Sequence, residues 1–287
     1  MAAIINTNLL SLNAQRNTSS SQNSLATSLQ RLSSGLRVNS AKDDAAGLAI
    51  AERLNAQVRG GNVAIRNAND GISLAQTAEG ALAKVSDSLQ RMRELAVQAR
   101  NATNTNADKD SLDKEFGELA KEIQRVLGGT TFNGRAILAG NSGTQAFQVG
   151  ANTTSNDRID VVTTDMTASA DITAVAGTDN TGAGRAVIDN TAVGATIDTV
   201  IANIDTAVNT VSSERATLGA SQNRFDQVIS NLQISVENQS AARSRITDAD
   251  FAIETANLSR ANILQQAGNA MIAQANQIPS QVLSLLR

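Results

Sequence analysis

Two pairs of neighbouring carboxylates are the first residues that could do chemistry: Asp43 with Asp44, and Asp248 with Asp250. A hard divalent cation wants several more oxygens, and none follows either pair at loop spacing. Both pairs stand where helical text begins, and the positive end of a helix dipole favours a carboxylate, so capping is the expected role. The chain has no His and no Cys, which removes the commonest general base, the usual zinc ligands and thiolate chemistry. No phosphate-binding loop or nucleophile elbow is present. The sequence therefore predicts no enzyme, no cofactor and no metal. Asn152-Thr153-Thr154 matches a glycosylation acceptor by pattern alone.

A docking surface is the other candidate. In the run Gln90 to Val97, helical spacing puts Arg91, Glu94 and Leu95 on adjacent faces, a mixed charged and apolar patch of the kind that seats a partner. An ordinary solvated face with internal ion pairs explains the same residues equally simply, and physics alone favours it.

The elements that position these residues are long helices. Leu25, Leu29, Leu32 and Leu36 near the start, and Leu264, Gly268, Met271, Ala275, Ile278, Val282 and Leu285 near the end, repeat with the alternating spacing of a coiled-coil seam. Neither segment has a partner close in sequence, so each is expected to pack on the other or on copies of itself. The helix around Leu25 to Leu36 is the expected partner of Leu264 to Leu285. Both ends are polar and sparsely charged, so they are expected to be disordered in the free chain and helical once packed, the alternative being a stable antiparallel hairpin in the free chain.

Helical text runs from Asp43 to about Arg100, with Gly61, Ala68, Ala75, Leu82, Leu89 and Ala96 on one face. Gly60 and Gly61 each cost about 1 kcal/mol relative to Ala, and a bend is expected there. A second helix is read over Ser111 to Leu127, with Leu112, Phe116, Leu119, Ile123 and Val126 as its stripe and Gly128–Gly129 as its C-cap. Thr130 to Gly194 is rich in Thr, Gly, Asn and Asp, and its alternating runs at Ala146 to Val149 and Arg158 to Val162 predict a β-hairpin. Helical text then returns, with Ile197, Ile204, Val211, Leu218, Phe225 and Leu232 spaced by sevens. Arg215 and Gln222 interrupt that seam, either to fix register or to reach solvent.

Composition fits this architecture. Aromatics are only 2% of the chain, so stability must come from length and repeated small contacts rather than from bulky core residues. The single proline, Pro279, leaves the rest free for helices, and a helix of ~40 residues would run about 60 Å. A net charge of −3, with no basic block beside aromatics, predicts neither nucleic-acid nor membrane binding. No cleavable leader pattern opens the chain, and no apolar run approaches membrane-spanning length.

Taken with their order, the motifs resemble bacterial flagellin. The carriers are NTNLLSLNAQRN from Asn6, RLSSGLRVNSAKDDAAGLAIAERL from Arg31, NDGISLAQTAEGAL from Asn69, QRMRELAVQA from Gln90 and TFNG from Thr131. LGASQNRF from Leu218, SRITDADFAIE from Ser244 and ILQQAGNAMIAQANQIPSQVLSLLR from Ile263 complete them. The resemblance implies a mainly α fold: long paired N- and C-terminal helices plus a helical-bundle domain with a small β-hairpin region. Residues 1–42 with 248–287 would form an inner coiled-coil domain lining a filament channel. Residues 43–195 with 196–247 would form the second domain, with a short variable surface over about 141–195. The implied role is that of a non-enzymatic structural subunit of the flagellar filament, exported uncleaved through the flagellar apparatus. The implied partners are copies of itself, the filament cap and hook-junction proteins, an export chaperone and the flagellin-sensing Toll-like receptor of animals. By matched position, Arg91, Leu95 and Glu115 are the receptor candidates. Leu25, Leu29, Leu32, Leu36, Leu264, Met271, Ile278, Val282 and Leu285 are the implied assembly seam. The alternative within the same apparatus is the hook-filament junction protein, and a hydrolase grafted into the middle would need catalytic residues that Asn141 to Gly194 does not hold.

Overall fold

The computed structural model describes residues 7–284, with side chains through Gln277. The elements in order are α1 (Leu9–Ser34), α2 (Ala45–Ala99), α3 (Asn106–Gly129), β1 (Thr131–Phe132), β2 (Arg135–Ala136), β3 (Gly143–Gln148), β4 (Arg158–Thr163), α4 (Ala170–Ala176), α5 (Gly194–Thr247) and α6 (Phe251–Ser284). The described residues up to Val58 and those from Glu237 onward form one compact unit, and Arg59–Val236 form the other. This division falls inside α2 and α5.

In the first unit α1 and α6 pair. Asn8 caps α1 by accepting from the Ser11 N–H at 3.1 Å, and Gly35 closes it in the left-handed region at φ 71°, with its N–H on Arg31 O at 2.8 Å. The segments leading out of the pair are stitched by backbone bonds: Arg37 N to Thr247 O at 2.7 Å and Ala249 N to Gly35 O at 2.9 Å. One carboxylate of each pair caps a helix: Asp44 Oδ1 accepts from Gly47 N at 2.8 Å in the first turn of α2, and Asp250 Oδ1 from Ala252 N at 2.9 Å in the first turn of α6. The other two do not: Asp43 Oδ2 closes the turn before α2 by accepting from Ser40 N at 2.9 Å, and Asp248 Oδ1 accepts the Thr247 hydroxyl at 2.8 Å.

The second unit holds the large core. All six residues of the predicted α2 face, from Gly61 to Ala96, are buried. In α5 the ladder Ile197, Ile204, Val211, Leu218 and Phe225 is fully buried, and Leu232 is half-buried. The expected bend at Gly60–Gly61 does not occur as a break in α2, whose helix is continuous there. These glycines provide room instead: a Cβ on Gly61 would stand 2.6 Å from the Val236 side chain, and one on Gly60 2.7 Å from Ala151. Both polar seam residues of α5 meet Glu79 of α2. Gln222 Nε2 donates to Glu79 Oε2 at 3.0 Å, and the Arg215 guanidinium lies 3.8 Å from the other oxygen of the same carboxylate.

Helix α3 begins earlier than Ser111 because Thr105 and Asp108 form a capping box, and Asp108 is held below the usual aspartate range by the Thr105 hydroxyl and N–H. It also ends differently: Gly128 and Gly129 stay helical, and Thr130 is the C-cap, its N–H on Val126 O. β3 and β4 form the expected antiparallel hairpin, Ala146 opposite Asp160 and Phe147 opposite Ile159. A second, smaller hairpin joins β1 to β2 through Asn133–Gly134, with φ of 49° and 76°, the primed turn that Asn-Gly favours.

Candidate assembly and recognition surfaces

The terminal pair mixes small and polar residues with a few larger apolar ones. On α1 the inward positions are Ser11, Ala14, Thr18, Ser21, Leu25, Ser28 and Leu32; on α6 they are Glu254, Leu258, Ala261, Gln265, Gly268, Ile272 and Ala275. Both sets keep the four-three spacing of a coiled coil. The register is antiparallel. Asn8 Nδ2 donates to Ala275 O at 2.7 Å, Ser11 Oγ to Asn276 Oδ1 at 2.7 Å, and Ser28 Oγ to Glu254 Oε2 at 3.0 Å. A Cβ on Gly268 would meet Thr18 Oγ1 at 2.5 Å, so glycine sets how closely the helices approach.

This register corrects two expectations. The described part of the C-terminal seam lies against Asn8 to Thr18, while Leu25 to Leu36 face the start of α6, where Leu36 bridges Asp248. The seam itself is also rotated: Gly268 and Ala275 point inward, but Leu264 and Met271 remain 51% and 58% exposed. The inward face takes its larger apolar side chains at Leu25, Leu32, Leu258 and Ile272, and Leu264 and Met271 fall beside it, on the flank. Of the N-terminal set, Leu25, Leu32 and Leu36 are half-buried and Leu29 is exposed. Ile278, Val282 and Leu285 lie outside the residues whose side chains are described. Leu9, Leu10, Leu12, Phe251, Ile253 and Ile263 are exposed as well. A groove of about 580 Å³ runs between the helices, floored by Ala14, Thr18 and Gly268 and walled by Leu10, Leu264 and Met271.

The Arg91 patch is half of what the sequence suggested. Arg91 Nε donates to Glu115 Oε1 of α3 at 2.9 Å and Nη1 to Glu94 Oε2 at 2.8 Å, all three side chains at the surface. Glu115 first, and then Glu94, raise the Arg91 pKa further above its ordinary value. Leu95 is only 1% exposed and belongs to the core with Met92, so it does not contribute to the surface. The reason is the α2 heptad: Met92, Leu95, Ala96 and Ala99 are its inward set, and Val97 is the exposed apolar neighbour.

Three arrangements escaped the sequence reading. Arg93 of α2 and Arg100, the residue just past its end, pair with Asp205 and Asp198 on α5, at 2.6 and 2.8 Å. Their matched seven-residue spacing on two antiparallel helices was the signal. Asp113 of α3, nearly buried, holds Arg185 through both guanidinium ends and accepts the Ile188 N–H at 2.9 Å, which ties the loop before α5 to the core. Glu254 takes Arg31 Nη1 at 3.0 Å in addition to Ser28.

With that geometry in place, comparison with known proteins is specific. Residues 5–143 match the bacterial flagellin N-terminal helical region, and residues 201–286 the bacterial flagellin C-terminal helical region. The chain is 48% identical over 284 residues to a flagellin of Halalkalibacterium halodurans, covering 99% of this chain and all of that one. It is 43% identical over 306 residues to a Bacillus subtilis flagellin, covering 99% of each. A solved structure, the Bacillus cereus flagellin crystal structure, aligns with a TM-score of 0.48 and 34% identity, covering 58% of this chain and 88% of that one.

Proposed function

The chain belongs to the bacterial flagellin family, whose members are structural subunits of the flagellum, and on that premise we propose that it assembles the flagellar filament through its terminal helix pair. The observation that carries this reading is the row of uncovered apolar side chains on the flank of α1 and α6, Leu10, Leu264 and Met271 among them. A contiguous exposed apolar surface on a single chain calls for a protein cover. Identical copies supply it, through a contact that does not close on itself and so builds an open tube.

Several finer expectations rest on the same premise. The thin seam between α1 and α6 suits ends that travel unfolded through an export channel and form fully only among neighbours. A chaperone for the C-terminal segment, the cap and the hook-junction proteins are the further partners. Arg91, with Glu115 and Glu94, is the proposed contact for the flagellin-sensing Toll-like receptor, and Leu95 would act by supporting α2 from within. Relatives of matching length are flagellins, which favours the filament subunit over the hook-filament junction protein.

Seeded polymerisation tests the assembly reading. The double variant Leu264→Ser, Met271→Ser should keep the helical content of the parent and fail to add to filament seeds, as seen by electron microscopy. Filaments of normal length would sink the reading.

A further inference from the structure

The side chains that a mild oxidant attacks are few in this chain, which has no Cys, His, Trp or Tyr and only four methionines. Met1 lies outside the described residues. Met92 and Met166 are 0% and 1% exposed in the second unit, where a dissolved oxidant does not reach them. Met271 is 58% exposed. It follows Leu264 by two helical turns on α6, and both belong to the apolar flank that the filament reading covers with another copy. Its exposure does not depend on α1, because a side chain on the flank is open when α6 is paired and stays open when it is loose.

We propose that Met271 is an oxidation site whose modification stops a free chain from adding to a filament, an inference that rests on the assembly reading above. The chemistry needs only a peroxide. With hydrogen peroxide, the thioether sulfur gives a lone pair to one oxygen, the O–O bond breaks, and the other oxygen leaves as water with the proton from the first. Sulfur is oxidised by two electrons to the sulfoxide, and the peroxide is reduced by two.

The product no longer suits the flank. A sulfoxide oxygen is a strong hydrogen-bond acceptor that holds water, and the hydrocarbon side chains of Leu10 and Leu264, which wall the same groove, offer it no donor in exchange. Burying an unpartnered polar group is costly, so the oxidised chain binds the filament end more weakly. Access to the sulfur also differs between states. In the free chain Met271 is open, whereas in the polymer the copy that covers the flank covers the thioether too. Oxidation therefore stops growth and spares what has already assembled.

The free full-length chain and preformed filaments are treated with the same hydrogen peroxide, quenched, and mapped by peptide mass spectrometry. The free chain should gain oxygen at Met271 and none at Met92 or Met166, and filaments should protect Met271. Offered to fresh seeds, the treated chain should need at least about a tenfold higher concentration to grow. Methionine sulfoxide reductases, one for each sulfoxide epimer, should restore growth. Met271→Leu, which keeps an apolar side chain of similar size, should grow equally before and after treatment, which separates Met271 from Met1. The proposal is overturned if the chain oxidised at Met271 grows as the untreated chain does, or if Met271 reacts as fast in filaments as in the free chain. It is equally overturned if treated Met271→Leu loses growth as the parent does. These three results leave the assembly reading standing, whereas an untreated parent that does not grow from seeds overturns that reading and this inference with it.

Discussion

Among single residues, the Asp113–Arg185 pair has the clearest energetic consequence. It is nearly buried, and Asp113 also accepts the Ile188 N–H, so Asp113→Ala strands a guanidinium and a backbone donor together. A loss of about 3–5 kcal/mol is expected, read as a fall in the urea midpoint with little change in slope. Surface pairs behave differently. Arg93–Asp205 and Arg100–Asp198 are half exposed, and each alone should move stability little. Their regular spacing orders the α2–α5 register more than it strengthens it. The Arg91–Glu94 pair was legible from helical spacing, Glu115 entered only through the family resemblance, and Leu95 was not legible as core from its local run. Only the seven-residue ladder that passes through Ala96 places the Leu95 side of α2 inward.

The helices show where glycine matters. Gly71→Ala gains about 1 kcal/mol of helix propensity, yet its Cβ would stand 2.6 Å from Phe225 Cζ, with two more ring atoms at 2.9 and 3.0 Å. A buried ring moves only with its neighbours, at about 1–3 kcal/mol, so the expected net effect is destabilisation. Gly80 is exposed with open space around it, and Gly80→Ala should stabilise by about 1 kcal/mol. Opposite shifts in melting temperature for the two variants check this contrast. Helix positions and the β3–β4 hairpin were readable because the heptads and the strand alternation are local signals. The start of α3 lay in Thr105 and Asp108, but a cap about seven residues ahead of the first stripe residue, Leu112, has no hydrophobic period beside it to mark it. The rotation of the α6 seam was not readable. Hydrophobicity marks Leu264 and Met271 as seam, whereas the helices meet along the neighbouring face of Gln265, Gly268, Ile272 and Ala275.

At the scale of the whole molecule, the second unit is complete in itself and the first is not. Arg59–Val236 carries nearly all the fully buried large side chains, while α1 and α6 share a thin seam and expose an apolar flank. That asymmetry explains why the sequence ends first read as halves in want of a partner. They have one in each other, and the uncovered flank implies further copies. Amide hydrogen exchange, compared between the free chain and polymerised chain at one pH, tests this most directly. The account predicts weak protection across α1 and α6 in the free chain, against strong protection in the buried stretch of α2 from Ala68 to Ala99. It also predicts a large gain confined mainly to α1 and α6 on polymerisation. Equal protection of both units in the free chain, with no gain in α1 and α6 in the polymer, would contradict it.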